Sequence, residues 1–205
     1  MNVQAALINV ALLWLLTTPH EFAHAWVATK LGDDTPRREG RVTLNPLAHV
    51  DWIGTVLLPA VTSLIGAGFL GWGKPVNTNP SKLWGGLNGM ALVALAGPAS
   101  NVVFAVILAA VAAATASTNL AVANFAAQGV RLSLYLALFN MIPVPPLDGS
   151  KLLLAARVPV EIYSMVARYG FLLLILLMAY TQVGYTLSAW SYASAGTMLG
   201  WFRPL

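Results

Sequence analysis

The feature that most constrains this chain is a pair of histidines inside an apolar segment, in the stretch His-Glu-Phe-Ala-His at residues 20–24. His20 and His24 are four residues apart, so they project from one face of an α-helix, close enough to bind a single zinc ion. Glu21 between them is placed to act as a general base on water at that ion. A charged side chain within a membrane helix costs roughly 2.5–3.5 kcal/mol on insertion scales. That cost favours a functional site over histidines that only hydrogen-bond neighbouring helices.

The composition predicts an integral membrane protein. The chain has 205 residues, of which 58% are hydrophobic and 9% are charged, whereas soluble domains are about 25% charged. We expect a single domain over residues 1–205, embedded in the lipid bilayer and without a sizeable soluble module. The net charge of +4 comes mostly from turns between apolar segments, so it gives no indication of a nucleic-acid partner. The absence of cysteine leaves His, Asp and Glu as the possible metal ligands.

The apolar runs predict an all-α bundle of about four to six transmembrane segments, with spans at 3–30, 87–114, 120–142 and 159–182. Lys30, Arg37, Arg38 and Arg41 follow the first span. Because cytoplasmic loops are rich in Lys and Arg, this end should face the cytoplasm. The histidine motif is then nearer the cytoplasmic face of a multi-pass protein.

The region 41–77 is predicted to contain a short membrane-associated β-hairpin. Residues 41–45 and 72–77 resemble short strands. Between them, the apolar segment 52–70 is interrupted by glycines and a proline. Strands on the same side of the membrane would require this segment to enter and return rather than to span.

A catalytic zinc site usually has three protein ligands and one open position. The candidates for the third ligand are Asp148, His49, Asp51 and Glu161. Asp148 is preferred, because it lies at the cytoplasmic end of a returning helix, at about the depth of the histidines. Three prolines before it break the helix, and Gly149 gives the backbone freedom to turn the carboxylate inward.

Taken together, these motifs resemble the site-2 proteases, which are intramembrane zinc metalloproteases. The resemblance rests on the motif at 20–24 and on the pattern Asn140-x-x-Pro-x-Pro-x-Leu-Asp148-Gly149, with further similar segments at 71–76 and 97–101. It implies one Zn²⁺ per chain, bound by His20, His24 and Asp148, with Glu21 as the general base. It also implies that Asn140 contacts the substrate backbone and that the hairpin receives an extended substrate.

The function implied by this resemblance is endopeptidase cleavage within or next to transmembrane segments, in regulated intramembrane proteolysis. The expected substrate is a single-span membrane protein, and the expected location is a bacterial or archaeal cell membrane. The chain resembles a small core form of the family, because no PDZ-like or CBS-like module is present. The alternative is a metal-ion transporter or sensor with the same His and Asp ligands. For His49 and Asn101, structural or packing roles are favoured, and Arg131 is an unexplained charge within a span.

Overall fold

The computed structural model describes residues 3–64 and 71–202, and these residues are arranged as α-helices joined by turns and irregular segments. The predicted all-α fold is therefore confirmed. Within the described residues, four helices contain stretches long and apolar enough to cross a membrane: Ala6–Lys30, Leu87–Thr115, Leu120–Asn140 and Val160–Tyr180. The same part of the chain forms eight α-helices: α1 (Val3–Lys30), α2 (Thr35–Arg38), α3 (Leu58–Leu64), α4 (Leu87–Thr115), α5 (Leu120–Asn140), α6 (Gly149–Ala155), α7 (Val160–Tyr180) and α8 (Val183–Trp201).

The centre of the bundle is formed by α1, α4 and α5, with α8 packed against α5. Leu13 and Leu16 of α1 are fully buried and pack in one cluster with Ala105 and Ala109 of α4 and Val130 of α5. Leucines facing alanines let the helices approach closely, which is how helices gain packing contacts in a lipid environment. The last candidate span, α7, contacts mainly α8 and α6, so most of its apolar surface is free to face lipid.

The predicted β-hairpin is wrong, because the described parts of region 41–77 contain no strand. Residues 41–45 are irregular, with a bend at 42–43. The Asn45 side chain then accepts a hydrogen bond from the Leu47 N–H at 3.1 Å to begin a 3₁₀ turn at Pro46–His49. Asp51 similarly accepts from the N–H groups of Ile53 and Gly54 and begins a turn of π-helix, Trp52–Leu57. Within the predicted strand itself, the N–H groups of Arg41 and Thr43 donate to the carbonyls of Pro36 and Arg41, and the N–H of Asn45 donates to the hydroxyl of Thr43. These local bonds use the donors that a strand ladder would have paired.

The other predicted strand is an extended segment that pairs irregularly with a different part of the chain. The N–H groups of Trp72 and Lys74 donate to the carbonyls of Gly54 (3.0 Å) and His49 (2.9 Å). The Arg41 guanidinium donates to the carbonyl oxygens of Ala48 and Lys74, so a side chain joins the two segments where a ladder was expected. Residues 49–54 and 72–74 therefore lie side by side. Part of the predicted re-entrant segment, 65–70, lies outside the described residues, so its return stays a prediction.

A buried carboxylate fastens the loop after this segment to the end of α1. Asp33 is fully buried and accepts hydrogen bonds from the backbone N–H groups of Asn79 at 2.6 Å and Thr35 at 3.1 Å. Burial alone would raise the pKa of Asp33, but these donors and nearby Lys82 outweigh it and lower the pKa below its ordinary value. The ionised carboxylate is therefore the form that stabilises this connection.

We expect Asp33→Asn to destabilise the protein by about 1–3 kcal/mol, because an amide cannot accept as strongly from both donors. Thermal unfolding in detergent would show a melting temperature lower by about 2–4 °C per kcal/mol. Since the folded pKa is depressed, the contribution of Asp33 is present above its unfolded pKa, about 3.9, and is lost as the pH falls towards the folded pKa. The difference in stability between wild type and variant should thus be constant from neutral pH to about pH 4 and shrink below it.

Asp34→Asn is the control for this substitution. It changes a neighbouring exposed carboxylate and should leave the melting temperature nearly unchanged. An equal effect of both substitutions on the melting temperature would contradict this role for Asp33.

Candidate metal centre

Three buried side chains from opposite parts of the sequence converge on one point. The Nε2 atoms of His20 and His24 each lie 3.1 Å from Oδ2 of Asp148, and they are 3.0 Å from each other. Tetrahedral zinc ligands with bonds of 2.0–2.2 Å are about 3.3–3.5 Å apart. The three atoms therefore need to separate by only a few tenths of an ångström to surround an ion. Of the described residues, these form the group of His, Cys, Asp or Glu side chains that could hold a metal ion.

The imidazole of His24 is held in the tautomer that metal binding needs. Its Nδ1–H donates to the carbonyl of Val93 in α4 at 2.7 Å, so the neutral form of the ring carries its lone pair on Nε2, which faces Asp148. A backbone acceptor of this kind is a common partner of metal-binding histidines. The ring of His20 stands nearly perpendicular to that of His24, at an interplanar angle of 85°, and its buried Nδ1 has no partner among the described residues.

The carboxylate of Asp148 is divided between two tasks. Its Oδ2 faces the histidines, while its Oδ1 accepts a hydrogen bond from Lys151 Nζ at 3.0 Å. Burial alone would raise the pKa of Asp148, but His24, His20 and Lys151 lower it well below its ordinary value, so the carboxylate is ionised. Lys151 was not among the predicted site residues. Its position three residues after Asp148 at the start of α6 was the available sequence signal.

Glu21 lies beside this group without being part of it. Its side chain is buried, and it is close enough to His20, Asp148, Arg41 and Lys151 to interact with them electrostatically. The extended segment 71–76 passes over it, since a Cβ atom added to Gly73 would lie 3.5 Å from both Cγ and Oε1 of Glu21. The glutamate is thus enclosed between the three converging side chains and a strip of backbone.

The structure places the other candidate ligands elsewhere. His49 is buried and its Nε2–H donates to the carbonyl of Thr43 at 2.8 Å. Burial lowers the pKa of its imidazole, so His49 is neutral and serves the loop structure. Asp51 caps the π-helical turn, and Glu161 is exposed in the first turn of α7.

Asn140 and Asn101 have different environments. Asn140 ends α5, and its side-chain N–H donates to the carbonyl of Leu136 at 3.0 Å. Asn101 is fully buried within α4, and its side-chain oxygen and nitrogen have no partner in the described part of the chain. The backbone carbonyl of Asn101 accepts a hydrogen bond from Ser133 of α5 at 2.8 Å, which fits the packing role predicted for this region.

Comparison with known proteins gives two bacterial relatives. The chain is 36% identical over 190 residues to "Putative zinc metalloprotease YwhC" of Bacillus subtilis (strain 168), covering 87% of this chain and 82% of the relative. It is 34% identical over 140 residues to "Putative zinc metalloprotease Rip2" of Mycolicibacterium smegmatis, covering 66% of this chain. That alignment spans about half, 52%, of Rip2. No family model matches the sequence, and no solved structure gives a significant match.

The close approach of α4 to the histidines gives a direct test of this site. A Cβ atom at Gly97 would lie 2.6 Å from His20 Nε2 and closer still to His24 Nε2. Gly97→Ala should therefore displace the imidazoles and weaken zinc binding by about 100-fold. This is the upper end of the loss in metal affinity seen when residues that orient metal ligands are changed, because the added Cβ meets both imidazoles. Competition of the purified protein with a chromogenic zinc chelator would measure the affinity.

Gly196→Ala is the matched control for this substitution. A Cβ atom there meets nothing within 4 Å, so the variant should bind zinc as wild type does. Wild-type zinc affinity in Gly97→Ala would contradict the arrangement of α4 against the histidines.

Proposed function

This chain belongs to the zinc metalloprotease family of YwhC and Rip2, which the motifs identify with the site-2 proteases, and we propose that it is an intramembrane endopeptidase. The observation that carries the proposal is the convergence of His20, His24 and Asp148 with Glu21 directly beside them. A site of two imidazoles and a carboxylate suits zinc. We assign these three residues as the ligands of one Zn²⁺ per chain.

The roles of the surrounding groups follow from their contacts. Zinc held by His20, His24 and Asp148 would supply Lewis-acid chemistry, which polarises a peptide carbonyl and makes water a better nucleophile. Glu21 accepts the proton of the attacking water and delivers it to the leaving amine as the peptide C–N bond breaks. Val93 holds the ring of His24, and Lys151 holds the carboxylate of Asp148. These two contacts keep the ligand atoms directed at one point throughout the reaction.

Water reaches the site from its polar side. The turns of α1 that precede the motif present the fully buried residues Leu12, Leu13 and Leu16, which close one side with apolar packing. On the other side lie Arg41 and Lys151, both within electrostatic range of Glu21. Because basic residues mark the cytoplasmic side of membrane proteins, we assign water entry and catalysis to the cytoplasmic half of a multi-pass protein of a bacterial or archaeal cell membrane.

The substrate in this proposal is a single-span membrane protein. A helical substrate must unwind locally, because each of its carbonyl groups accepts a hydrogen bond from the N–H four residues later in the helix. Asn140 is at the end of α5, and its side-chain amide donates only to the carbonyl of Leu136, one helical turn earlier. The amide can therefore turn away and contact an unwound backbone. Cleavage of such a substrate would release a soluble segment, as in regulated intramembrane proteolysis.

Metal transport or sensing receives less support from the site. Leu12, Leu13 and Leu16 on the turns of α1 before the motif are fully buried and apolar, whereas transport paths use polar groups on both sides. Glu21 also has no role in simple ion binding, because it does not belong to the group of three.

The assignment of the ligands can be tested by metal content. Purified wild-type protein should contain about one zinc per chain, because a catalytic site binds a single ion through three protein ligands. His24→Ala and Asp148→Ala should each lose most of it when measured by inductively coupled plasma mass spectrometry. Glu161→Ala, at an exposed acid, is the control and should retain zinc. Full zinc in Asp148→Ala would move the third ligand to another residue.

The assignment of the base can be tested separately. Glu21→Gln should keep its zinc and lose cleavage by about 10²–10⁴-fold, the range for general acid–base groups. The assay would use a designed single-span protein with a Gly-Pro pair in its membrane helix and a fluorophore at each end, reconstituted with the enzyme in vesicles. Glu161→Gln makes the same chemical change at an exposed site and should cleave normally. Cleavage by Glu21→Gln at the wild-type rate would refute the base assignment, and zinc flux without cleavage in the wild type would favour transport.

A further inference from the structure

Arg131 is a positive charge in the middle of a membrane-spanning helix. It lies 11 residues after the start of α5 at Leu120 and nine before its end at Asn140. At 1.5 Å per residue these separations are about 16 Å and 13 Å along the helix axis. An extended arginine side chain covers only about half of either distance, so it cannot bring its guanidinium to a lipid headgroup by snorkelling. The charge is therefore at the depth of the hydrocarbon.

The guanidinium is only weakly compensated within the chain. It makes a cation–π contact with the ring of Tyr192 in α8, whose centroid is 5.0 Å from Cζ. Among residues 3–64 and 71–202, no carboxylate lies within ion-pair distance of Arg131. A ring face attracts a cation, but it accepts none of the five N–H bonds that a guanidinium can donate. An intramembrane charge of this kind normally has a partner and a function.

The surroundings of Arg131 form a continuous polar and aromatic face, which we call the Arg131 ridge. It consists of residues three or four apart on α5, which share one side of the helix, together with one residue of α8. The stacked rings of Tyr135 and Phe139 extend it towards the end of α5, with centroids 6.1 Å apart, and Arg131 and Tyr192 are its exposed part. The members of the ridge are Gln128, Arg131, Tyr135, Phe139 and Tyr192.

We propose that the Arg131 ridge binds a membrane-spanning helix of another protein that carries Asp or Glu at the depth of Arg131. A carboxylate is the complement of a guanidinium, to which it can bind through two parallel hydrogen bonds, and the pair is most favourable where water is excluded. The aromatic rings beside it offer broad surfaces against which a helix can pack. The ridge is thus complementary in charge and in shape to an acidic transmembrane helix.

A second copy of this chain fits the ridge less well. Of the seven acidic residues in the sequence, the two that are buried at the metal site, Glu21 and Asp148, are engaged there. The other five lie in turns or in the first turn of α7, so none is at the depth of Arg131. Two copies meeting at the ridge would bring two arginines together without an anion.

Arg168 provides a comparison within the same chain. It is also an exposed arginine inside a spanning helix, α7. Its aromatic partner is the adjacent residue Tyr169, with 5.8 Å from Cζ to the ring centroid, so this pair lies on one helix, whereas Arg131 and Tyr192 join two. We therefore expect specific helix binding at Arg131 and not at Arg168.

Binding can be measured with designed peptides in vesicles of phosphatidylcholine, which has no net charge. The probe is a fluorescent Leu-Ala transmembrane helix with one Asp at its centre, and the matched peptides carry Asn, Leu or Lys there. Using Glu21→Gln protein keeps the measurement independent of hydrolysis. Energy transfer should show the Asp peptide binding at least about tenfold tighter than the Leu peptide, a difference within the range for charge-assisted pairs.

The variants separate the ridge from general charge effects. Arg131→Leu should remove the preference for Asp, and Arg131→Glu should transfer it to the Lys peptide. Arg168→Leu is the matched control and should bind like the parent, while melting temperatures and zinc content show that each variant is folded. Equal binding of the Asp and Leu peptides would overturn the proposal, as would equal losses in Arg131→Leu and Arg168→Leu.

Two further outcomes would assign the ridge to a different occupant. Loss of energy transfer between labelled copies of this protein in Arg131→Leu, without an effect on peptide binding, would indicate self-association. Displacement of the Asp peptide by phosphatidylglycerol would indicate an anionic lipid. Either result would overturn the proposed acidic helix.

Discussion

The structure depends on the meeting of Asp148 with His20 and His24. Asp148 is 128 positions after His20 and 124 positions after His24 in the sequence. They are buried in a bundle of low polarity, where an uncompensated polar group is costly. In the sequence, α4 and α5 lie between the two polar motifs. Because these helices pack against each other and against α1, the two motifs come to the same depth. The fold therefore keeps three polar side chains, suited to bind one metal ion, together in surroundings that would otherwise exclude them.

Around these atoms, the two sides of the bundle have different tasks. On the side of Leu13 and Leu16, leucines and alanines fill the space between helices without polar groups. On the other side, Arg41 and Lys151 fasten the loops through backbone carbonyls and the carboxylate of Asp148. The apolar side gives rigidity through packing, and the polar side supplies charge where the chemistry needs it. The site lies at the boundary between them.

Much of this arrangement could be predicted because it depends on local patterns. Hydrophobic runs indicate membrane helices, and the four-residue spacing puts His20 and His24 on one face. Asp148 could be chosen from the depth at which its helix ends. The hairpin could not be excluded in the same way, because residues 41–45 and 72–77 have plausible strand sequences. Only the three-dimensional structure shows that residues 41–45 use their N–H groups in local hydrogen bonds and that the side chain of Arg41 takes the carbonyl of Lys74. Val93 contributes a carbonyl, which no side-chain pattern reveals.

Gly97 has a consequence for how this protein can move. Its α-carbon leaves no room for a side chain between α4 and the two imidazoles, so the neighbouring residues, Leu95, Ala96, Pro98 and Ala99, cannot replace it there. Sliding α4 by one residue, or rotating it, would drive one of those side chains into the rings. The glycine therefore fixes the relative position of α1 and α4, which must move together as one rigid body. Any opening of the bundle that would admit the proposed substrate must therefore come from elements that pack less closely against α1 and α4.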